Sequence, residues 1–381
     1  MIERKILKTW QTVTFGEIAE HISVRIDPII GDEKTYIGLE HLDNDSLQVK
    51  RWGSDVVLKG QKLQIKKGDI LFAKRNAYLK RVALAPFDGI FSAHGMVLRP
   101  RGSSILPDFL PFFMQSDVFM ERAISISEGS LSPTIKWSTL SRQEFHLPNL
   151  EVQCSLIVTL KKLDEVLELK KSIKDSILTL KRVLISRLFS KKKLLGLNAK
   201  KMSFFNTLDI VSGQVDPTSD DFKSYPHIAP DNMEKNLATL LPYRTAEEDK
   251  VKSGKYLFDE GHVLYSKIRP NLRKVVFPRI KGVCSADVYP LKGKNGLITD
   301  YLFYLLQSEH FNSFAISTSM RTGMPKINRE DLCAYTYYLP PIEAQLSIVE
   351  KIKMLDELYI ETTSAINDVM KLKKSYLNTT R

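Results

Sequence analysis

The chain has 381 residues, of which 43% are hydrophobic and 26% charged, so its composition excludes collagen-like, low-complexity and disordered proteins. At ~100–200 residues per domain, this length predicts two or three domains. Lys and Arg number 56 against 44 Asp and Glu, and the resulting net charge of +12 favours a polyanionic partner, either nucleic acid or an anionic membrane surface.

The cysteine and hydropathy patterns set the expected compartment. Cys154, Cys284 and Cys333 are odd in number and far apart, so neither a disulfide framework nor a zinc site is predicted. No run of about 18 apolar residues occurs, and the N-terminal residues lack the apolar core of a signal peptide. We therefore expect a cytoplasmic protein that neither spans a membrane nor is secreted, and we expect no membrane among its partners.

The sequence contains an internal repeat. Gly68–Lys74 aligns with Gly261–Lys267 at an offset of 193, and Leu147–Gln153 aligns with Leu339–Gln345 at an offset of 192. Such a near-constant offset over about a hundred positions predicts two similar domains. We call residues 1–148 the first head and residues 197–340 the second head.

Each head is predicted to mix helices and strands. Short alternating or apolar runs bounded by Gly and Pro, such as Lys62–Ile65, indicate strands. Pro107–Ile124 and its counterpart Asp300–Phe314 each have the apolar content of one buried helix. Further upstream the repeat is weaker, and at the same offset it pairs Glu17-Ile18 with Asp209-Ile210.

A long helix is predicted after each head. Apolar residues recur at alternating steps of three and four over residues 150–189, with an interruption at Lys170, and again after Pro340-Pro341. The predicted apolar seams are Leu156, Leu160, Leu163, Leu167, Ile173, Ile177, Leu180, Leu184 and Leu188 in the first helix, and Ile348, Ile352, Leu355, Tyr359, Thr362, Ile366 and Val369 in the second. Two helices of ~40 residues with matching seams favour an antiparallel pair.

The predicted fold class is therefore α+β, with two similar mixed α/β domains joined and braced by two long helices in an antiparallel coiled coil, related by a pseudo-twofold repeat. The predicted boundaries are residues 1–148 and 197–340 for the heads, 149–196 for the central helix and 341–381 for the C-terminal helix.

A basic loop follows the matched strand of each copy. Lys and Arg neutralise phosphates, and Arg, Asn and Tyr can also read base edges or stack on bases. The candidate DNA-binding residues are Lys74, Arg75, Asn76, Tyr78, Lys80 and Arg81 in the first loop and Lys267, Arg269, Asn271, Arg273 and Lys274 in the second. A solvated strand end is the alternative interpretation, but recurrence in both copies favours a polyanion-binding role.

A proline loop also recurs in both copies, around Pro133 and Pro325. Small polar residues precede it, so it can carry hydrogen-bond donors to a ligand. Its candidate DNA-binding residues are Ser132, Thr134 and Lys136 in the first copy and Arg321, Thr322 and Lys326 in the second. A plain proline turn fits this pattern equally well.

Catalytic motifs are few. Neither the tetrapeptide of amino-methylating enzymes nor a phosphate-binding Gly-rich loop occurs. Asp231, Glu248 and Lys250 have the loose spacing of a magnesium-dependent nuclease, which stays a minor alternative because such spacing is common in charged chains. The histidines, including His94, which aligns with Asp287, suggest no ligand cluster or triad.

Three motifs together resemble one known family over essentially the whole chain. They are the strand motif Gly68–Lys74 with its basic loop, the proline-loop motif Gly129–Ile135, and the helix-start motifs Leu147–Gln153 and Leu339–Gln345. This combination resembles the specificity subunit of type I restriction–modification systems.

The resemblance implies a non-catalytic subunit whose two target-recognition domains bind the halves of a bipartite asymmetric DNA site. The paired helices would fix the gap between the half-sites and dock two methyltransferase subunits. Those partners would carry S-adenosylmethionine and methylate adenine, and motor/endonuclease subunits using Mg²⁺ and ATP would cleave unmodified DNA. No cofactor is expected on this chain. A scaffold without sequence-specific DNA contacts is the competing hypothesis, and a modification-only complex is a third.

Overall fold

The structure is a computed structural model that describes residues 10–55, 57–319 and 325–379. It divides into two compact units. The first unit contains residues 1–172 and 363–381, and the second contains residues 173–362. Each unit therefore holds one head together with a segment of each long helix.

The described part of the first head contains ten strands. They are β1 (Gln11–Thr14), β2 (Ala19–Ile22), β3 (Arg25–Ile26), β4 (Tyr36–Ile37), β5 (Lys62–Ile65), β6 (Ile70–Phe72), β7 (Val82–Leu84), β8 (Gly89–Phe91), β9 (Met96–Pro100) and β10 (Glu144–Leu147). The described part of the second head also contains ten. They are β11 (Lys200–Ser203), β12 (Leu208–Ile210), β13 (Pro226–Ile228), β14 (Arg244–Thr245), β15 (Tyr256–Phe258), β16 (Val263–Ser266), β17 (Val275–Val276), β18 (Gly282–Cys284), β19 (Val288–Gly293) and β20 (Thr336–Leu339).

The α-helices of the described residues are mostly short, apart from two. In chain order they are α1 (Phe15–Ile18), α2 (Leu110–Gln115), α3 (Asp117–Ser125), α4 (Trp137–Leu140), α5 (Leu150–Leu188), α6 (Lys191–Leu195), α7 (Phe204–Thr207), α8 (Thr299–Leu305), α9 (Glu309–Ser319), α10 (Arg329–Cys333) and α11 (Ile342–Leu377). The long helices α5 and α11 have 39 and 36 residues, which confirms the predicted lengths.

Both heads share one sheet plan. A four-stranded antiparallel sheet has the order β2-β9-β6-β7 in the first head and β12-β19-β16-β17 in the second. In addition, a two-stranded ribbon pairs β1 with β10 and β11 with β20, next to the start of each long helix. The aromatic cores below these sheets are centred on the fully buried Phe15 and Phe119 in the first head and Phe204 and Phe311 in the second.

The second sheet of each head differs at one edge. The three matched strands are β5-β8-β4 and β15-β18-β13, and in both heads the last of these runs parallel to its neighbour. The fourth strand joins opposite edges, since β3 pairs with β5 in the first head whereas β14 pairs with β13 in the second. The heads are thus similar in their frame but not identical at this edge.

The buried helix predicted in each head is wrong as a single element. Ser116 separates α2 from α3 with an extended backbone, and its hydroxyl accepts a hydrogen bond from the N–H of Phe119. In the second head Ser308, which is also buried, caps α9 by accepting from the N–H of Phe311. A serine that caps the following helix ends the preceding one, and the apolar pattern does not reveal this.

The upstream alignment of Glu17-Ile18 with Asp209-Ile210 is also wrong. Phe15 begins α1 and its N–H donates to the carbonyl of Gln143, while Phe204 begins α7 and donates to Tyr335. The structural offset is therefore 189 here and not 192. The burial of both phenylalanines identifies them as equivalent.

The two long helices pair antiparallel within the second unit. There Lys181 of α5 forms a 2.5 Å ion pair with Asp356 of α11, and the Lys174 ammonium lies over the ring of Tyr359. From Lys174 to Lys181 along α5, the partners on α11 run backwards from Tyr359 to Asp356, so the two helices are antiparallel. In the first unit Lys373 of α11 pairs with Asp164 of α5 at 2.6 Å.

These two ion pairs are repeat equivalents, because both partners are related by the offset of 192. Both lysines are buried in the seam, with side-chain exposures of 10% for Lys181 and 6% for Lys373. The predicted seam of α11 is confirmed. On α5, however, Ile173 and Leu180 are exposed, at 43% and 54%. Lys181 takes the buried position instead, since its charge is matched by a carboxylate 175 residues away in sequence.

Candidate nucleic-acid interface

The basic loop and the proline loop lie side by side in each head. In the first head the N–H of Asn76 donates to the carbonyl of Pro133 at 2.8 Å, and the N–H of Ile135 donates to Lys74 at 3.0 Å. In the second head the N–H of Arg269 donates to Pro325 at 2.7 Å, and the N–H of Ile327 donates to Lys267 at 2.9 Å. The structure thus brings together the two elements that the sequence singled out separately.

The basic loops have the same backbone shape in both heads. Each contains a single 3₁₀ turn flanked by two non-glycine residues in the left-handed region, which are Asn76 and Lys80 in the first head and Arg269 and Arg273 in the second. Their φ angles lie between 49° and 56°. Residues in this region carry a conformational cost of ~1 kcal/mol or more, and such strain is concentrated at functional sites.

Two matched pairs of basic-loop side chains bind groups of their own head. The Lys80 ammonium pairs with Asp117 at 3.0 Å, and its equivalent Arg273 pairs with Glu309 at 2.8 Å. These pairs tie the basic loop to the first turn of α3 or α9. The other two, Arg81 and Lys274, donate to the carbonyls of Leu39 and Pro230 at 3.0 Å and 2.7 Å. Their DNA contacts stay a prediction.

A third segment that the sequence analysis did not assign to the site completes it. This is the turn after β8 or β18, which starts at Ser92 or Ser285 and contains His94 or Asp287. In the first head the Arg75 guanidinium lies 3.4 Å from Nε2 of His94 and donates to the Ser132 hydroxyl at 3.0 Å. Arg75 therefore links all three segments of its head.

The first head concentrates positive charge at this point. Burial lowers the pKa of Lys74, and the nearby Arg25 lowers it further. The pKa of His94 is lowered by burial and then by Arg75, Lys74 and Lys62. Apart from burial, both pKa values are lowered by neighbouring positive charges that repel one another. A bound polyanion stabilises such a cluster of like charges. The sequence does not reveal that Arg25 and Lys62 belong to this cluster, because both precede the repeated strand motif and lie outside the basic loop.

The second head has a different charge balance at the same place. The Lys267 ammonium lies 3.6 Å from the Asp287 carboxylate and over the ring of Tyr289. In contrast, Arg269, Asn271 and Lys326 are exposed and face no carboxylate partner among the residues that the structure describes.

The remaining candidates also lie at the surface of their heads. The Tyr78 side chain is 57% exposed, as expected of a ring available for stacking. Lys136 pairs with Glu128 at 2.6 Å, and the Thr134 hydroxyl donates to the carbonyl of Ser132. The predicted residues Arg321 and Thr322 lie outside the described residues.

The two carboxylates of the nuclease alternative lie in separate short turns. Both the N–H and the hydroxyl of Thr245 donate to Glu248, and Asp231 lies in the first turn of a short 3₁₀ helix. Within residues 10–55, 57–319 and 325–379, no group of three or more His, Cys, Asp or Glu side chains is arranged to hold a metal ion. In the same ranges, no helix combines the length and the apolarity needed to span a bilayer.

The helix-start motifs prove to be structural. The Gln153 amide is fully buried, accepts from the N–H of Leu106 at 2.8 Å and donates to the carbonyls of Ser104 and Pro148, both at 2.9 Å. Gln345 repeats this arrangement with Ile298, Gly296 and Pro340. Each glutamine therefore fastens its head to the first turn of a long helix.

Comparison with known proteins identifies the family. The model of the type I restriction modification DNA specificity domain matches residues 7–179 and again residues 208–372. The chain therefore belongs to the family of type I restriction modification DNA specificity domains, and the predicted resemblance is confirmed. The two matches also coincide with the two copies of the internal repeat.

Individual relatives support the same assignment over part of their length. The chain is 34% identical over 180 residues to the specificity subunit of the type I restriction enzyme EcoDI of Escherichia coli, covering 46% of this chain and 40% of that protein. It is 25% identical over 177 residues to the HindI specificity subunit of Haemophilus influenzae, covering 45% of this chain and 39% of that one. The chain thus spans about two-fifths of the length of these relatives.

Solved structures share the fold over nearly the whole chain. A chain from the type I R-M system, in a study of its complex assembly and conformational transition, has a TM-score of 0.61 at 18% identity and covers 98% of this chain and 97% of its own. The S subunit of the type I system from M. genitalium has a TM-score of 0.59 at 13% identity, covering 97% of this chain and 96% of that one. The predicted fold class, two mixed α/β domains with two long helices, is confirmed.

Proposed function

We propose that this chain is a non-catalytic specificity subunit that recognises a bipartite, asymmetric DNA site through its two heads. The observation that carries the proposal is the recurrence of one three-segment frame, made of the basic loop, the proline loop and the turn after β8 or β18, in both heads. Two similar frames with different side chains suit a site whose halves differ in sequence.

Electrostatics supports DNA as the ligand of this frame. The cationic group of Lys74, Arg75 and Arg25 combines a half-buried lysine with an arginine held in place by Ser132. Phosphates neutralise such a group, and an arginine in a fixed orientation can bind a base edge through its two parallel donors. The net charge of +12 attracts DNA at longer range.

The long helices support a second part of the proposal, in which they fix the gap between the half-sites and dock two methyltransferase subunits. A helix of 39 residues is roughly 60 Å long. On α5 a stripe of apolar side chains is exposed outside the seam in each unit, formed by Val158, Val166 and Leu169 in the first and by Ile173, Leu180 and Val183 in the second. Such a stripe on a paired helix is suited to pack against helices of a partner. S-adenosylmethionine, Mg²⁺ and ATP would then be bound by methyltransferase and motor/endonuclease partners.

The test is strand-resolved mapping of methyladenine in the genome of the source cell, with and without this gene. Loss of methylation at one bipartite motif with a fixed gap is the expected result, and it would read both half-sites at once. An unchanged methylation pattern would contradict the proposal and favour the scaffold hypothesis. Complementation with the intact gene is the matched control, because it must restore the motif.

A further inference from the structure

Asp287 is placed where a carboxylate is electrostatically unfavourable for binding DNA. It lies in the turn after β18, beside Lys267 and within the frame that the proposed function assigns to DNA. A carboxylate repels phosphates, and it also offsets part of the positive charge of the lysine beside it. Its presence in this turn therefore calls for a compensating role.

A role in holding the frame together does not account for Asp287. The equivalent residue of the first head is His94, and the first head keeps the same turn and the same backbone pairing between the basic and proline loops. Lys74 occupies the position of Lys267 with no carboxylate at the matching place in the turn. The Asp287–Lys267 separation of 3.6 Å is also longer than a hydrogen bond. The frame thus forms without an acid at this position.

The Asp287 side chain is open to a ligand. It is 49% exposed, and among the described residues its carboxylate accepts no hydrogen bond. Carboxylate oxygens accept only, and in the major groove their suitable partner is the N4 amino group of cytosine. The neighbouring Lys267 would hold the adjacent phosphate or base while the carboxylate accepts from that amino group.

We propose that Asp287 is a specificity-determining residue of the second head, which accepts a hydrogen bond from a cytosine amino group in its half-site. The inference rests on the proposed function, since it requires that the second head binds a half-site. It explains why two nearly identical frames carry His94 and Asp287 at one position, because an asymmetric target needs different hydrogen-bonding groups on the two heads.

The test compares methylation motifs in cells that carry the wild-type gene or the variant Asp287→Asn. Asparagine keeps the size of the side chain but removes the charge, and it pairs best with adenine. We expect discrimination for cytosine at one position of one half-site to fall about tenfold, with adenine now accepted there, and the other half-site to stay unchanged. Asp300→Asn is the matched control, because Asp300 lies in the same head, is 43% exposed and pairs with Arg279 outside the frame.

Two results would overturn the inference while leaving the proposed function standing. In the first, the Asp287→Asn variant keeps the wild-type motif and methylates it at an equal or higher level. Asp287 would then only offset the positive charge of Lys267 and read no base. The other is loss of methylation at all sites in both Asp287→Asn and the mirrored variant Asp287→His, which would make the residue structural. If the wild-type gene itself determines no motif, the proposed function fails and the inference fails with it.

Discussion

Removal of the buried ammonium of Lys373 tests the energetics of the helix seam. The Lys373→Met variant keeps the length of the side chain but leaves the Asp164 carboxylate, which is 20% exposed, without its ion-pair partner. Burial already raises the pKa of Asp164 in the intact protein, and Lys373 opposes that rise. The lysine therefore favours the ionised form of a partly desolvated carboxylate.

The expected cost can be scaled from the local geometry. Removing one partner of a fully buried pair costs ~3–5 kcal/mol, and the partial exposure of Asp164 places the cost near ~3 kcal/mol. In the second unit the Tyr304 hydroxyl donates to Asp356 at 2.9 Å, whereas the equivalent of Tyr304 in the first unit is Phe112. Lys181→Met therefore leaves a hydrogen-bonded carboxylate and costs about 1 kcal/mol less than Lys373→Met.

Urea unfolding monitored by two signals measures both costs. The three tryptophans, Trp10, Trp52 and Trp137, all belong to the first unit, so their fluorescence follows that unit, while far-UV circular dichroism follows the whole chain. The double variant Lys373→Met with Asp164→Leu is the control and should recover to within ~1 kcal/mol of wild type. An unchanged fluorescence midpoint for Lys373→Met would contradict this role of the ion pair, as would a double variant that is as unstable as the single one.

The heads and their junctions with the long helices lead to three further predictions. Alanine at Lys74, Arg75, Lys267 or Arg269 should weaken DNA binding and reduce the slope of log K for DNA binding against log salt concentration by ~0.9 for each phosphate that is no longer neutralised. Lys353→Ala, on the exposed face of α11, is the control. Slopes equal to that of wild type in all four variants would contradict the proposed interface. Gln345→Ala should lower the free energy of unfolding by ~3 kcal/mol, because one N–H and two carbonyls are left without a buried partner. Urea unfolding followed by circular dichroism measures this change, and an unchanged midpoint would contradict the prediction. Burial raises the pKa of Asp117, but its bonds to Lys80, Lys374 and Asn378 outweigh burial and hold the folded-state pKa below the ordinary value of 3.8. The stability that the Asp117 carboxylate contributes is therefore full above pH 3.8 and disappears as the pH falls through the lower folded-state pKa. Asp117→Asn should destabilise the first unit by about 1 kcal/mol at pH 7 and match wild type in strong acid, and tryptophan fluorescence in urea at several pH values would show or exclude this convergence.

The sequence predicted the elements whose signals are local and periodic. The two long helices were found because their apolar steps of three and four continue without Pro or Gly, and the two heads were found because offset and motifs repeat. The break at Ser116 was missed because a hydroxyl that caps a helix looks like any small residue within an apolar run. The seam position of Lys181 was missed because its partner Asp356 is distant in the sequence.

Only the repeated parts of the candidate site could be predicted from the sequence. The basic and proline loops were visible as repeated patterns, but their pairing through backbone hydrogen bonds depends on tertiary structure. The sequence indicates no role for His94, because a lone histidine is usually structural, and its alignment with Asp287 gives no sign that their turn meets the basic loop. The contribution of Arg25 to the electrostatics of Lys74 likewise has no signal in the sequence.

The division of the chain into two units has a consequence for synthesis on the ribosome. The second unit is one continuous stretch, residues 173–362, so all of its internal partners become available once that stretch has emerged. The first unit needs partners from the far end of the chain, since Asn378 donates to Asp117 across 261 residues and Lys373 binds Asp164. Domains generally fold in the order of their synthesis, with the N-terminal one first. Here the unit that is translated first completes its folding last, and until then its half of the α5 seam is exposed to chaperones and to aggregation.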